Sequence, residues 1–209
     1  MSKQLKFSHK ILLVAAVIVS LALAAFAVFN AYLQRNAIDQ SLRATLSETG
    51  KVTASNIAYW LDARVKLIES EVQVLARDSS PAVLVEVLGQ TVYTNNFDRT
   101  FLGETNGTYT ARPAYTPAAG YDPRKRPWYI AATSAGATAI TPPYVFASTG
   151  KSGLTISTPL QRDGHQVGVV AGDLNLTTLI DMLASLDVGG LGEAFLVDSD
   201  GKILVSSHP

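Results

Sequence analysis

The stretch 154-LTISTPLQRDGHQVGVVAGDLNL-176 decides the fold, because it contains two apolar segments separated by a tight turn. Residues 154–161 and 166–176 have the composition of β-strands, and Asp163-Gly164 between them is a dipeptide that favours hairpin turns. Asp173 interrupts the second strand, which is otherwise able to be buried. A buried carboxylate is costly unless it is paired or hydrogen-bonded, so we expect Asp173 to have a specific partner.

Shorter elements surround this hairpin along the chain. Residues 97–112 alternate in polarity around Asn106-Gly107, another dipeptide that favours the tight turn of a hairpin. The other predicted elements are short helices at 82–90, 128–134 and 177–186, a loop at 113–123, a strand at 138–148 that paired prolines interrupt, and a turn at 149–153. This order predicts an α+β module with a curved antiparallel sheet.

The N-terminal run 11-ILLVAAVIVSLALAAFAVF-29 contains no charged residue and is long enough to cross a hydrocarbon core of roughly 30 Å as a helix. The first ten residues carry three lysines and no acid, so the positive-inside rule puts residues 1–10 in the cytoplasm. We therefore expect a transmembrane helix at 11–33 and export of the chain that follows. The alternative is a cleaved signal peptide, because Ala25-Phe26-Ala27 resembles a cleavage site.

Residues 34–78 continue the helical pattern without a proline. Small or apolar residues recur near the helical period at Ile38, Leu42, Leu46, Thr49, Thr53, Ile57, Leu61, Ile68, Val72 and Leu75. A helix of this extent spans roughly 65 Å, which suits a rod that carries a displacement from an outer domain to the bilayer. An apolar face of this length favours a homodimer through the helix. The alternative is a stalk without a signalling role. Asp78-Ser79-Ser80-Pro81 is expected to end the helix.

The C-terminal segment indicates a second module. A Gly189-Gly190 linker leads to a hairpin at 193–207 with the turn Asp200-Gly201, which has the pattern of the opening of another sheet. A complete domain is not expected to end two strands into a sheet, because the open edges would be exposed. We therefore expect one module at 79–187 and the truncated beginning of a similar module at 188–209.

The composition narrows the functional classes. The 17 basic and 17 acidic residues balance, so nucleic acid is not an expected partner. The absence of cysteine excludes disulfides, thiolate metal sites and cysteine nucleophiles. His9, His165 and His208 are too far apart in sequence to predict a metal cluster, and no cofactor is expected. No Ser-His-acid arrangement or catalytic carboxylate pair is apparent, so we do not expect an enzyme. An extracytoplasmic hydrolase and a membrane-anchored scaffold without a ligand are the alternatives.

The stretch 120-GYDPRKRPWYIAA-132 carries the residues with the clearest binding chemistry. Arg126 offers a planar fork of donors suited to a carboxylate, and Trp128, Tyr129 and Tyr121 supply aromatic surface that favours an ammonium group. Asp173 would complement that ammonium, so together these side chains could hold a zwitterion. The alternative is an ion pair between Arg126 and Asp173 within the fold, with Trp128 in the core.

The pattern Tyr121, Arg126, Trp128, Tyr129 and Asp173 resembles the amino-acid-recognition motif of double-Cache (dCache) sensor domains. These domains occur in bacterial methyl-accepting chemotaxis receptors and in some sensor kinases and cyclic-dinucleotide enzymes. The resemblance extends to 6-KFSHKILL-13, 53-TASNIAYWL-61 and 195-FLVDSDGKILV-205, and so covers essentially the whole chain. It implies a PAS-like antiparallel module at 79–187 as the membrane-distal Cache domain and the start of a second, membrane-proximal one at 188–209.

The resemblance also implies roles for the site residues. Arg126, Trp128 and Tyr129 would hold a ligand carboxylate with Tyr121 close by, and Asp173 would bind the α-ammonium. Tyr144, in the strand 143–147, would line the pocket. Phe146 departs from the pattern, because relatives that bind many amino acids carry an acid there that helps to hold the ammonium. This departure favours a restricted set of amino acids or an amino-carboxylate such as γ-aminobutyrate.

The function that the resemblance implies is extracytoplasmic sensing of a small amino-carboxylate by a chemoreceptor that signals for chemotaxis. Its place would be the bacterial inner membrane, with the sensor domain in the periplasm. The same sensor feeding a histidine kinase or a diguanylate cyclase is the alternative, because no output domain lies within these residues.

Overall fold

The computed structural model describes residues 7–186, 192–197 and 201–207 of the chain. The helices in these ranges are α1 (Phe7–Arg77), α2 (Pro81–Leu88), α3 (Thr91–Thr94), α4 (Pro127–Ala135) and α5 (Thr177–Ala184). The strands are β1 (Arg99–Glu104), β2 (Tyr109–Arg112), β3 (Ala139–Ile140), β4 (Tyr144–Val145), β5 (Ser152–Arg162), β6 (His165–Asn175), β7 (Phe195–Val197) and β8 (Ile203–Ser206). The predicted α+β class with an antiparallel sheet is confirmed.

The chain divides into two compact units, and the long N-terminal helix contributes residues to each. The units are Met1–Lys51 and Val52–Pro209. Among the described residues one helix passes the length and composition test for a membrane span, and that helix is α1. The helical segments expected at 11–33 and 34–78 are thus one continuous helix.

A proline separates α1 from α2. The first helix ends at Arg77, and the Asp78 carboxylate then accepts a hydrogen bond of 2.7 Å from the backbone N–H of Ser80. Pro81 begins α2. The N–H groups in the first turn of a helix have no acceptor within the helix, so the missing N–H of proline costs no hydrogen bond there. The predicted helix stop is therefore confirmed.

Arg162, the last residue of β5, binds the C-terminal end of α1. Its Nη2 donates to the carbonyl of Leu75 at 3.2 Å and to the Ser79 hydroxyl at 2.8 Å, and its Nε donates to the carbonyl of Ala76 at 3.3 Å. The last carbonyls of a helix have no partner inside it, and a cation there also interacts favourably with the helix dipole. This side chain ties the end of α1 to the sheet.

The two longest strands form the centre of the sheet. The strand order is β2-β1-β6-β5-β3, and β4 also pairs with β5. β5 and β6 are antiparallel and turn through Asp163 (φ 52°) and Gly164 (φ 76°), the left-handed conformations that a tight two-residue hairpin requires. β1 and β2 form the second predicted hairpin, with Gly107 in its turn.

Side chains alternate between the two faces of this sheet. One face packs against α1, α2 and α5 in an apolar core that includes Ile68, Leu75, Leu84, Leu88, Leu102, Leu154, Ile156, Leu160, Val170, Leu174, Leu179 and Leu183. The other face packs against α4 in a smaller cluster of Phe101, Ala111, Trp128, Tyr129, Ala132, Val169 and Ala171. Asp173 follows Ala171 at the period of two and therefore shares the α4 face.

Two predicted elements differ in the structure. The strand expected at 138–148 is two short strands, β3 and β4, because Pro142 and Pro143 have no N–H to donate to a ladder. The helix expected at 82–90 ends at Leu88, and α3 follows it without having been predicted. β7 and β8 pair with each other as expected, whereas Gly189-Gly190 and Asp200 lie outside the described residues.

Glu71 is a fully buried acid on α1. It lies three residues after Ile68 and four before Leu75, and so shares their buried face. Neither carboxylate oxygen has a hydrogen-bond partner among the described residues, and burial raises the pKa of Glu71 to about 8. Burial therefore favours the neutral form of this carboxyl.

We expect Arg162→Met to lower the stability of the second unit, because the carbonyls of Leu75 and Ala76 lose a charged donor. Hydrogen bonds to charged groups contribute about 1.5–3 kcal/mol, so the melting temperature should fall by several degrees. Lys125→Met, at an exposed lysine, is the matched control. Equal melting of the two variants would show that Arg162 does not hold the end of α1.

Candidate functional site

Two side chains on neighbouring strands fix the position of the Asp173 carboxylate. Thr155 on β5 lies directly opposite Asp173 on β6, and its hydroxyl donates to Asp173 Oδ1 at 2.6 Å. Because that hydroxyl has one hydrogen, Tyr144 on β4 donates its own to Thr155 Oγ1, at 2.7 Å. The carboxylate is therefore oriented before any ligand arrives.

Asp173 is strongly desolvated, with 6% of the residue exposed. Burial raises its pKa to about 7, although the hydrogen bond from Thr155 and the positive charges of Arg99 and Arg126 act in the opposite direction. The ion pair between Arg126 and Asp173 that the sequence left open is not formed in the described part of the chain. A cation that enters the cleft would thus meet an acid that has no cationic partner.

The loop before α4 places Arg126 at the same cleft. Asp122 stabilises the turn at Pro123–Lys125 by accepting the Arg124 N–H at 3.0 Å and pairing with its guanidinium at 2.9 Å. Arg126 is extended (φ −86°, ψ 149°), as a residue before a proline prefers, and its Cζ lies 5.8 Å from the centre of the Tyr121 ring. Within the described residues its guanidinium has no hydrogen-bonded or ionic partner, so its donors are available to an anion.

Trp128 and Tyr129 begin α4 and are buried together in the smaller apolar cluster. The Trp128 ring meets Phe101 edge-on at a centroid distance of 4.9 Å. It also lies against Gly103, where a Cβ atom would come within 2.6 Å of the indole, so a side chain at that position would displace the ring. The sequence left two roles open for Trp128, in the core or at the binding site. The ring is buried in the apolar cluster and also lines the cleft.

Six of the seven predicted site residues line one narrow cleft. They are Tyr121, Arg126, Trp128, Tyr144, Phe146 and Asp173. Tyr129 is not part of that lining and packs beside Trp128, with 5.5 Å between the ring centroids. Its contact with a ligand stays a prediction, as do the roles of the other six.

The sequence analysis missed five lining residues: Phe101, Tyr109, Tyr115, Ala147 and Ser148. Tyr109 lies in the predicted hairpin, and its ring meets Tyr121 at 5.3 Å between centroids. Tyr115 lies in the predicted loop, and its hydroxyl donates to the carbonyl of Ala147 at 3.1 Å. Burial raises the pKa of Tyr109 and of Tyr144, so both phenols are neutral donors at physiological pH. The three tyrosines between residues 109 and 121 were the feature of the sequence that could have indicated an aromatic wall.

Phe146 lies between this cleft and a neighbouring cavity of about 130 Å³, and it lines both. The ring is buried and packs edge-on against Tyr144 at 5.3 Å between centroids. Gly153 makes room for it, because a Cβ atom there would overlap the ring of Phe146. Asp173 and Ser148 also line both spaces.

The cleft has the chemistry of a site for a small zwitterion. A guanidinium and a carboxylate, neither ion-paired within the described ranges, line the same space, and aromatic rings form much of its wall. Aromatic faces and a carboxylate favour an ammonium group, and a guanidinium favours a carboxylate.

The chain matches one protein family and is similar in sequence to a group of bacterial chemotaxis receptors. The Cache domain model matches residues 30–209. The methyl-accepting chemotaxis protein PctB of Pseudomonas aeruginosa is 50% identical over 209 residues, which are 100% of this chain and 33% of that protein. The chain thus spans about a third of the length of the curated relatives it matches.

Solved structures of two ligand-binding domains from the same organism have a similar fold. The domain of the amino acid chemoreceptor PctB in complex with L-Arg has a TM-score of 0.73 and 51% identity, over 78% of this chain and 69% of that one. The domain of the amino acid chemoreceptor PctC in complex with GABA has a TM-score of 0.71 and 42% identity, over 78% and 74% of the two chains. With the family model covering most of its residues, this chain belongs to the Cache domain family.

Proposed function

We propose that this chain is the sensing part of a membrane chemoreceptor that binds a small amino-carboxylate outside the cytoplasm and signals for chemotaxis. The observation that carries the proposal is the pair of opposite charges in one cleft. Asp173 is buried without a cationic partner in the described part of the chain, and the guanidinium of Arg126 lines the same space without an anionic one. The similarity to amino acid chemoreceptors supports this interpretation.

In the proposed complex Arg126 binds the ligand carboxylate and Asp173 binds its ammonium. Trp128 and Tyr121 flank the ligand, Tyr129 supports Trp128 from the core, and Tyr144 holds Thr155 so that the Asp173 carboxylate faces the ligand. These contacts give a zwitterion two charge-assisted interactions in a desolvated space, where such interactions are stronger than in water.

Phe146 restricts the ligands in this proposal, because it leaves Asp173 as the one acid that lines the first cleft in the described part of the chain. The candidates are a limited set of amino acids and ω-amino acids such as γ-aminobutyrate. The similar domains of PctB with L-Arg and of PctC with GABA support both classes.

The proposed topology puts residues 1–10 in the cytoplasm of a bacterium and a transmembrane helix at 11–33. A stalk helix at 34–78 then leads to a periplasmic membrane-distal Cache module at 79–187. Residues 188–209 begin a membrane-proximal module with a PAS-like sheet, of which β7 and β8 are the first strands. In this proposal the stalk helix packs against the stalk helix of a second copy. The exposed apolar side chains of Leu42 and Leu46 support this pairing.

We expect Arg126→Met and Asp173→Asn each to weaken amino-carboxylate binding by about 10- to 100-fold, because each removes one charged contact. A thermal-shift screen of the twenty amino acids and γ-aminobutyrate on the purified chain in detergent identifies the ligand, and titration calorimetry measures the two variants. Lys125→Met, at an exposed lysine of the same loop, should bind like wild type. Undiminished binding by either site variant would refute the zwitterion site.

Ligand affinity should rise as pH increases from 6 to 8, because an ammonium pairs with Asp173 only when the carboxyl is ionised. With a pKa of about 7 in the free protein, the dissociation constant should fall by about tenfold over this range. The charge of Arg126 lowers the pKa of Asp173, so Arg126→Met should bind more weakly and move the rise in affinity to higher pH. Affinity that stays constant from pH 6 to 8 would contradict pairing of the ligand with Asp173.

The ligand-free Asp173→Asn variant should melt above wild type, and its advantage should grow from pH 5 to about pH 7. The folded state keeps the Asp173 proton up to about pH 7, whereas the unfolded chain releases it near its ordinary pKa of roughly 3.9. Wild type therefore loses stability as pH rises through this window, and the neutral amide does not. Each kcal/mol corresponds to about 2–4 °C in a domain of this size.

The proposed stalk pairing predicts disulfide cross-linking through a single introduced cysteine, since the natural chain has none. Leu46→Cys lies on the predicted apolar face, and Glu48→Cys, about 200° further around the helix, is the matched control. Oxidation in membranes should give a covalent dimer for the first variant and much less for the second. Equal cross-linking at both positions would argue against this face as the interface.

A further inference from the structure

Arg99 is a second cation beside the proposed ligand site. It lies directly opposite Asp173 in the pairing of β1 with β6, and the alternation of β1 puts it on the same face as Phe101. Its Nε donates to the carbonyl of Pro113 at 3.1 Å, and its Cζ lies 4.9 Å from the centre of the Tyr115 ring. Nη1 is buried and has no acceptor among the described residues.

The cavity next to Phe146 contains Arg99 and has room for the end of a ligand. It measures about 130 Å³ and shares Phe146, Ser148 and Asp173 with the first cleft. An extended ligand can therefore reach it past Asp173. The exposed Lys151 lines the same cavity and adds a second cation.

The acids of this cavity already have partners or a proposed task. Asp98 accepts the backbone N–H of Asn175 at 2.8 Å and its side-chain amide at 2.9 Å. Asp173 accepts the hydroxyl of Thr155 and, in the proposed function, the ligand ammonium. What the cavity offers a ligand is therefore donors, from Arg99 and Lys151.

A buried donor without an acceptor costs about 1–3 kcal/mol, and structures rarely leave one without a reason. An oxygen acceptor on the ligand would remove that cost at Arg99. Because Nη1 is closed to solvent in this state, the contact forms when the guanidinium turns toward the cavity. Phe146 supplies an apolar wall that the methylene groups of such a ligand can pack against.

We propose that this cavity is a side-chain subsite in which Arg99, assisted by Lys151, binds a carbonyl oxygen at the end of the ligand. The preferred ligands are then α-amino acids whose side chains end in a carboxylate or a carboxamide. This inference rests on the proposed function, since Arg126 and Asp173 must first hold the amino-acid backbone of the ligand.

The test compares ligands of one shape with and without the oxygen. Glutamate and glutamine have the apolar isostere homoleucine (2-amino-5-methylhexanoate), and titration calorimetry on the full chain in detergent gives the three dissociation constants. We expect at least one of the two oxygen-bearing ligands to bind about tenfold or more tightly than homoleucine, from a hydrogen bond to a charged donor. Equal affinities for all three would overturn the subsite and leave the proposed function standing. If the chain binds no amino-carboxylate at all, the proposed function fails instead.

The variant Arg99→Met could weaken binding in two ways. It removes the proposed subsite donor, and it also removes a charge that lowers the pKa of Asp173. The ligand comparison distinguishes the two effects. A subsite role predicts that the variant loses the preference for the oxygen-bearing ligand while homoleucine binds within about threefold of wild type at pH 8.5. A loss shared equally by all three ligands would place the effect on Asp173 and overturn the inference. Lys151→Met should lower the preference by a smaller factor, and Lys125→Met should leave it unchanged.

Discussion

The register between β5 and β6 is the constraint on which the rest of the structure depends. It places Thr155 opposite Asp173, so the threonine hydroxyl reaches the carboxylate. Slipping β6 by one residue would turn Asp173 toward the core beneath α1, α2 and α5 and bring Leu174 into the cleft. The Asp163-Gly164 turn and the two apolar faces of the hairpin hold the register, because each face has its own helices to pack against.

The two faces of the sheet divide stability from recognition. One face buries aliphatic side chains against three helices, and Arg162 binds the end of α1 to the same sheet. The other face places aromatic rings and a desolvated acid beneath α4. Asp173 is desolvated and oriented when the domain folds, so a ligand ammonium does not have to displace its hydration shell on binding. In the proposed receptor the signal is bounded by the difference in ligand affinity between the two states of the domain.

The main elements and most of the cleft could be predicted from the sequence, because local patterns encode them. The Asp163-Gly164 and Asn106-Gly107 turns, the period of two in β6 and the spacing around Arg126 are visible within short stretches. Tyr115 could not be found this way, since its place depends on a loop that carries it to Ala147. Glu71 and Arg99 were missed for a related reason: the burial of Glu71 and of Arg99 Nη1 comes from elements distant in sequence that pack over them.

The fit between Gly153 and Phe146 limits how this site can evolve. A phenyl ring fills the space that a side chain at 153 would take, so the two positions share one volume. Replacing Phe146 with a smaller acid would leave a hollow beside Gly153, and a larger residue at 153 would expel the ring. The packing at one of these positions therefore limits which side chains the other can accept.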